Sequence, residues 1–209
     1  SFILTDAQSE IKQLQKITDI AVKQSFNCIS VDGDTSTNDT VLVMANGQSN
    51  TGRLNSNDLQ KFQQALNEVT LNLAKMIAKD GEGATKMIEI EVKNAKKHTD
   101  AEKIASTIAT SPLVKTAFFG SDANWGRILA AIGRSGININ PDKVDIYIGN
   151  IITAKDGMAV KFSEKRAKSL LDKKECKIRI DLKSGKEKAK YYTCDFSYDY
   201  VKVNGSYRS

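Results

Sequence analysis

Apolar positions recur along this chain in two periods, one close to 3.6 residues and one of two. Ile11, Leu14, Ile17 and Ala21 follow the first and predict a helix from about Ser9 to about Gln24. Leu59, Phe62, Leu66, Val69, Leu73 and Met76 follow it more clearly. Lys75 and Lys79 suit the negative end of that second helix, and Gly81 is expected to supply a left-handed stop. Met87-Ile-Glu-Ile-Glu-Val92 has the period of two and predicts a half-buried strand. Phe2–Thr5, Cys28–Val31, Val41–Ala45, Val114–Phe119, Val144–Ile148 and Ile151–Val160 read as further strands. A capping box, Thr99-Asp-Ala-Glu102, opens a helix that ends near Pro112. Helices are also predicted from Asn124 to Gly133 or Gly136 and from Ser163 to Lys173. Cys176–Leu182 and Tyr191–Phe196 are expected to pair across a lysine hairpin. Helices interspersed with strands make an α/β or α+β protein, with a seam near Gly83.

Composition narrows this picture. The 209 residues, 40% hydrophobic and 27% charged, suffice for one large or two small domains with a real core. Apolar runs stop at about five residues, whereas a membrane span needs roughly 18. No basic-then-apolar leader opens the sequence, so secretion is not expected. Three cysteines (Cys28, Cys176, Cys194) without CxxC spacing suggest reduced thiols in a cytoplasmic protein. The net charge of +6 is densest in Lys183-Ser-Gly-Lys186-Glu-Lys188-Ala-Lys190. That stretch reads as solvated lysines on a hairpin, so neither nucleic acid nor membrane is expected as a partner.

Candidate chemistry gathers at a few places. Asp32, Asp34 and Asp39 stand among hydroxyls and one amide, a composition that holds a rigid turn by local hydrogen bonds. Asp32-Gly-Asp34-Thr-Ser36 also resembles the DxDxT motif of aspartyl-phosphate phosphatases, with Asp32 as nucleophile. His98, the only histidine, sits before a helix cap among lysines and reads as solvated. A nucleophile would then need another base, such as an N-terminal α-amine, which draws attention to Ser1. Gly81-Glu82-Gly83-Ala-Thr-Lys86 leads into a strand, so it is no phosphate cradle. Glu82, between two glycines, is open to a ligand amine or is part of a plain turn. In Gly120–Arg127, Asp122 or Asn124 can cap a helix and Trp125 reads as a core anchor. The ending Asn204-Gly-Ser-Tyr207-Arg208-Ser209 hints at a docked terminus.

VDGDTSTNDT (31–40), DGEGATK (80–86), GSDANWGRILAAIG (120–133) and VNGSYRS (203–209) occur here in this order. Together they resemble the ornithine acetyltransferase family of arginine biosynthesis, also called the bifunctional glutamate N-acetyltransferase or ArgJ family. The resemblance implies an α/β layered fold like that of the DmpA aminopeptidases. Residues 1–83 would belong to an αββα domain completed by a separate α chain. Residues 84–209 would form a C-terminal α/β domain whose tail returns to the active site. Family members cut themselves before a threonine, which becomes the nucleophile; it would lie three residues before Ser1, so no catalytic nucleophile is expected within residues 1–209. That threonine takes the acetyl group of N-acetylornithine, and glutamate then accepts it. Oxyanion donors come from the α chain.

By the same resemblance Glu82, Asn204 and Ser209 are substrate-binding residues. The assembly would be an α2β2 heterotetramer in the cytoplasm, with no metal and no cofactor, and acetyl-CoA would be a co-substrate in some members. The alternative activity is that of a related N-terminal-nucleophile aminopeptidase or amidase, against which the 204–209 ending argues.

Overall fold

The alternating stretch around Ile90 is a central strand of the fold. The structure, a computed structural model, describes residues 1–49 and 52–206. Along the chain run β1 (Phe2–Thr5), α1 (Ile11–Lys23), β2 (Ile29–Ser30), β3 (Leu42–Ala45), α2 (Ser56–Lys79), β4 (Met87–Ala95), α3 (His98–Ala109), α4 (Pro112–Phe119) and α5 (Trp125–Gly133). There follow β5 (Asp145–Ile148), β6 (Ile151–Lys155), β7 (Met158–Ala159), α6 (Glu164–Leu171), β8 (Glu175–Asp181), β9 (Glu187–Cys194) and α7 (Tyr198–Ser206). The chain divides into two compact units, one of residues 1–28 and 35–76, the other of 29–34 and 77–209.

In the first unit β1 and β3 pair in parallel, with Phe2 opposite Leu42 and Leu4 opposite Met44. Alternation sends Ile3 and Val43 to one face, where they pack with Ile17, Ala21 and Leu66. It sends Phe2 and Leu4, each 73% exposed, and Leu42 and Met44 to the other.

The second unit is a mixed sheet in the order β2-β9-β4-β8-β5-β6-β7, layered against helices. Ile88, Ile90 and Val92 of β4 are fully buried and pack with Ile104 and Ile108 of α3 and Ile128 and Ile132 of α5. Each such isoleucine contributes roughly 2 kcal/mol by leaving water. The other face of β4 carries Glu89, Glu91 and Lys93. Lys177 lies 3.1 Å from both Glu89 and Glu91, Lys190 is 2.9 Å from Glu89, and Lys93 is 3.1 Å from Asp181. These three lysines are thus balanced by carboxylates across the strands.

Several elements differ from the sequence expectation. Residues 114–119, expected as a strand, lie in helix α4. Pro112 at its first turn presets the helical φ, and Val114, Ala117 and Phe118 are buried at helical spacing. β8 and β9 are not neighbours, because β4 lies between them, parallel to β8 and antiparallel to β9. The connection passes over the end of β4, where Ser184 N and Gly185 N each donate to Asn94 O at 2.8 Å. The apolar runs flanking the acidic stretch go to different sheets, and β3 is half exposed. The expected strand 151–160 is a hairpin, β6 and β7, turning at Asp156 and Gly157, both with positive φ. The left-handed residue after α2 is Gly83 (φ 64°), not Gly81. α3 starts at His98 without a side-chain cap, so the Thr99–Glu102 box is not formed.

Candidate functional site

The turn that carries Glu82 is shaped by its glycines. A Cβ on Gly81 would stand 3.0 Å from side-chain atoms of both Val31 and Cys194, which would have to give by a few tenths of an ångström. Gly83 meets the backbone of α7 so closely that a Cβ would lie 2.3 Å from Tyr200 N. Glu82, between them, is exposed.

Asp195, 1% exposed, fixes the rest of this turn. Its Oδ1 accepts from Thr85 N and Lys86 N, both at 2.8 Å, and its Oδ2 accepts from Thr85 Oγ1 at 2.5 Å. Lys86 turns its ammonium to the C-terminal end of α4, donating to Phe118 O and Ser121 Oγ at 2.7 Å each. A cation suits that end of a helix, where carbonyls lack partners. Ser121 in turn donates to Asp172 Oδ1 at 2.7 Å. This bond, with the nearby Lys168, holds the Asp172 carboxyl below its ordinary range. Residues 80–86 and 120–127 are therefore interlocked. Asn124 caps α5 by accepting from Arg127 N at 3.1 Å, and Trp125 packs against the core.

Beneath them Lys115 is fully buried. Its ammonium donates to Thr193 Oγ1 at 3.0 Å and to Cys194 O, and lies 4.6 Å from the centroid of the Phe196 ring. Burial pushes its pKa down, against the opposing pull of Cys194, Asp195 and Asp32. Burial likewise pushes the Cys194 thiol up, with Lys115 opposing. Cys28, Cys176 and Cys194 are buried, and none of them is in a disulfide.

Helix α7 closes over the turn. Ser197 Oγ donates to Gly83 O at 2.5 Å and accepts from Asp199 N at 3.1 Å, tying the start of the helix to the turn. The Tyr200 ring stacks on Phe196 at 4.6 Å, and its hydroxyl donates to Asp32 Oδ2 at 3.2 Å. Burial pushes the Tyr200 pKa up, and Asp32, Asp34 and Glu82 add to the shift. One turn further on, Asn204 Nδ2 donates to Glu82 Oε2 at 2.8 Å and to Tyr200 O at 3.0 Å.

Two of the residues singled out in the sequence, Glu82 and Asn204, are thus in contact although 122 positions apart. Ser209 lies outside the described residues. Asp32 is no free nucleophile: Oδ1 accepts from Asp34 N at 2.9 Å and Oδ2 accepts from Tyr200. His98 is a helical residue with Nδ1 2.7 Å from Lys188 O and Nε2 3.1 Å from Glu102. Ser1 belongs to the first unit, where its amine donates to Thr40 O at 2.7 Å. The pair offers the Glu82 carboxylate to a ligand cation, whereas both Asn204 N–H groups are engaged, by Glu82 and Tyr200 O, and one must be released before the amide can meet a ligand carboxylate. Sequence reading missed Asp195, Lys115, Ser197 and Tyr200, because their partners lie far off in the chain.

The chain matches the model of the ArgJ family over residues 1–209. It is 53% identical to the arginine biosynthesis bifunctional protein ArgJ of Desulfotalea psychrophila, over all of this chain and 54% of that protein. Identity to the protein of the same name from Caldanaerobacter subterraneus is 50%, over all of this chain and 53% of that protein. The chain therefore spans about half the length of these relatives. A crystal structure of the arginine biosynthesis bifunctional protein ArgJ from Bacillus halodurans superposes with a TM-score of 0.95 at 44% identity, covering 99% of this chain and 98% of that one.

Proposed function

Because the chain belongs to the ArgJ family, we propose that it is one half of an acetyltransferase of arginine biosynthesis. The enzyme moves an acetyl group from N-acetylornithine to glutamate. The observation that carries this reading is the Glu82–Asn204 contact, which joins the turn after α2 to helix α7 at 2.8 Å. Glu82 receives the ammonium of ornithine, and Asn204, once one of its N–H groups leaves Glu82 or Tyr200 O, receives a substrate carboxylate together with Ser209. The nucleophile is a threonine three residues before Ser1, activated by its own amine. Its hydroxyl attacks the acetyl carbonyl, the amide C–N bond breaks, and ornithine leaves with the proton. The amine of glutamate then attacks the acetyl ester, the C–O bond breaks, and N-acetylglutamate departs as the threonine regains its proton. No cofactor or metal takes part, and acetyl-CoA is the co-substrate that a bifunctional member of the family would also take as acetyl donor.

A separate α chain supplies the oxyanion donors and completes an α2β2 assembly in the cytoplasm. In support, Phe2, Leu4, Leu42 and Met44 put an exposed apolar face on the sheet of β1 and β3. Consistent with a cytoplasmic enzyme, no helix among the described residues is long and apolar enough to cross a membrane.

The test is kinetic. With its α chain, the protein should convert N-acetylornithine and glutamate to ornithine and N-acetylglutamate. Glu82→Gln should lower kcat/KM for N-acetylornithine by about 10- to 100-fold, as expected for losing a charge-assisted contact. Peptide hydrolysis without acetyl transfer, or an unchanged kcat/KM, would overturn the reading.

A further inference from the structure

The acidic stretch after β2 has no part in the reading above, yet it reaches the candidate site through one side chain. Tyr200 meets four surroundings at once. Its backbone nitrogen sits against Gly83, where even a Cβ would clash at 2.3 Å. Its carbonyl accepts from Asn204 Nδ2 at 3.0 Å, the same nitrogen that donates to Glu82. Its ring lies on Phe196 at 4.6 Å and 17°, and Phe196 covers the buried Lys115 ammonium. Its hydroxyl donates to Asp32. Asp32 itself is held in shape by accepting from Asp34 N at 2.9 Å. Phe119 against Tyr198, edge to face at 5.4 Å, steadies the first turn of α7 but not the turn that bears Asn204.

We propose that Asp32 and Tyr200 are positioning residues for the acetyl donor: their hydrogen bond fixes the rotation of α7 and so holds the Asn204 amide at Glu82. This rests on the acetyl-transfer reading of the Glu82 and Asn204 site. The physical argument is one of leverage. Stacking alone lets a ring slide in its plane, whereas a directional hydrogen bond at the ring's far end removes that freedom. The Tyr200 carbonyl, on the same residue, then presents one fixed acceptor to Asn204. Neither residue need touch the reacting atoms, so the effect falls on binding of the donor rather than on the chemical step.

The experiment uses Tyr200→Phe, Asp32→Ala and the double variant in the protein with its α chain. Tyr200→Phe keeps the stack and removes only the hydroxyl. For each variant KM and kcat for N-acetylornithine are measured, together with a crystal structure. Tyr200→Phe should raise KM about five- to tenfold with kcat within about twofold. The double variant should be no worse than the more damaged single variant, because both remove one interaction. In the crystal, Asn204 should leave Glu82. Unchanged KM, a loss confined to kcat, or losses that multiply in the double variant would each overturn the proposal. If the unmodified protein transfers no acetyl group, the underlying reading fails. The crystal structure of Tyr200→Phe still decides the positioning claim: Asn204 kept at Glu82 refutes it, and Asn204 released supports it.

Discussion

Asp195 gives a sharp test of how the Glu82 turn is held. In Asp195→Ala three donors lose a charged acceptor at once: Thr85 N, Lys86 N and the Thr85 hydroxyl. The site is 1% exposed, so water does not replace the carboxylate readily. Hydrogen bonds to a charged group contribute about 1.5–3 kcal/mol each, but the hydroxyl can rotate to another acceptor. Counting the two backbone bonds gives a destabilisation of about 3–6 kcal/mol. Asp195→Asn is different, because both backbone donors point to the same oxygen, Oδ1. An asparagine oriented with its oxygen there keeps both bonds, and its amide can donate to Thr85 Oγ1. Only the charge is lost, a cost of about 1–2 kcal/mol. Urea unfolding of the protein with its α chain measures the difference. With a slope of about 2 kcal/mol/M, the alanine variant should unfold at a midpoint about 1.5–3 M lower, and the asparagine variant about 0.5–1 M lower. Equal midpoints for the two variants, or an alanine variant within 0.3 M of the unmodified protein, would refute the reasoning.

Other consequences follow from the same geometry. Gly83→Ala combines a left-handed φ of 64° with a Cβ 2.3 Å from Tyr200 N. It should cost at least about 1–2 kcal/mol in strain and push α7 off the turn, weakening N-acetylornithine binding, which titration calorimetry would register. The Cys176 thiol is pushed up to about 11 by burial, from an ordinary value near 9.0. Between those pH values the unfolded chain has given up the proton and the folded one has not, so stability falls as pH rises. This contribution is whole below pH 9 and gone above about pH 11, and is worth about 2–3 kcal/mol. Cys176→Ala should show a correspondingly flatter stability profile over that window, read by denaturant midpoints.

The long helix and the central strand were legible in the sequence because each is set by local periodicity. Leu59 to Met76 and Met87 to Val92 repeat at one spacing for several turns or residues, and one face of each must leave water. Two assignments failed where local pattern was silent or misleading. Residues 114–119 hold too few polar positions to show a period, and the buried Lys115 looks like a surface residue until Thr193 and Cys194 are brought to it. β8 and β9 read as a hairpin since nothing in either stretch records that β4 takes the place between them. The candidate site divides the same way. Glu82 was conspicuous between two glycines, but Asp195, Ser197 and Tyr200 act on partners more than 100 residues away, such as Thr85, Gly83 and Asp32. The local hydrogen bonds expected of the acidic stretch are present, with Asn38 N donating to Ser36 Oγ at 3.1 Å and Asp34 N to Asp32 Oδ1 at 2.9 Å. Its bond to α7 had no local signature.

The most direct test of the acetyl-transfer account is the intact mass of the protein, produced with its α chain, before and after brief exposure to N-acetylornithine. The account predicts a separate chain that begins at a threonine three residues before Ser1. It predicts that this chain gains the mass of one acetyl group, and that the gain is lost when glutamate is added. An unchanged mass in the presence of N-acetylornithine, with ornithine still released, would contradict a covalent acetyl-threonine and with it the central claim.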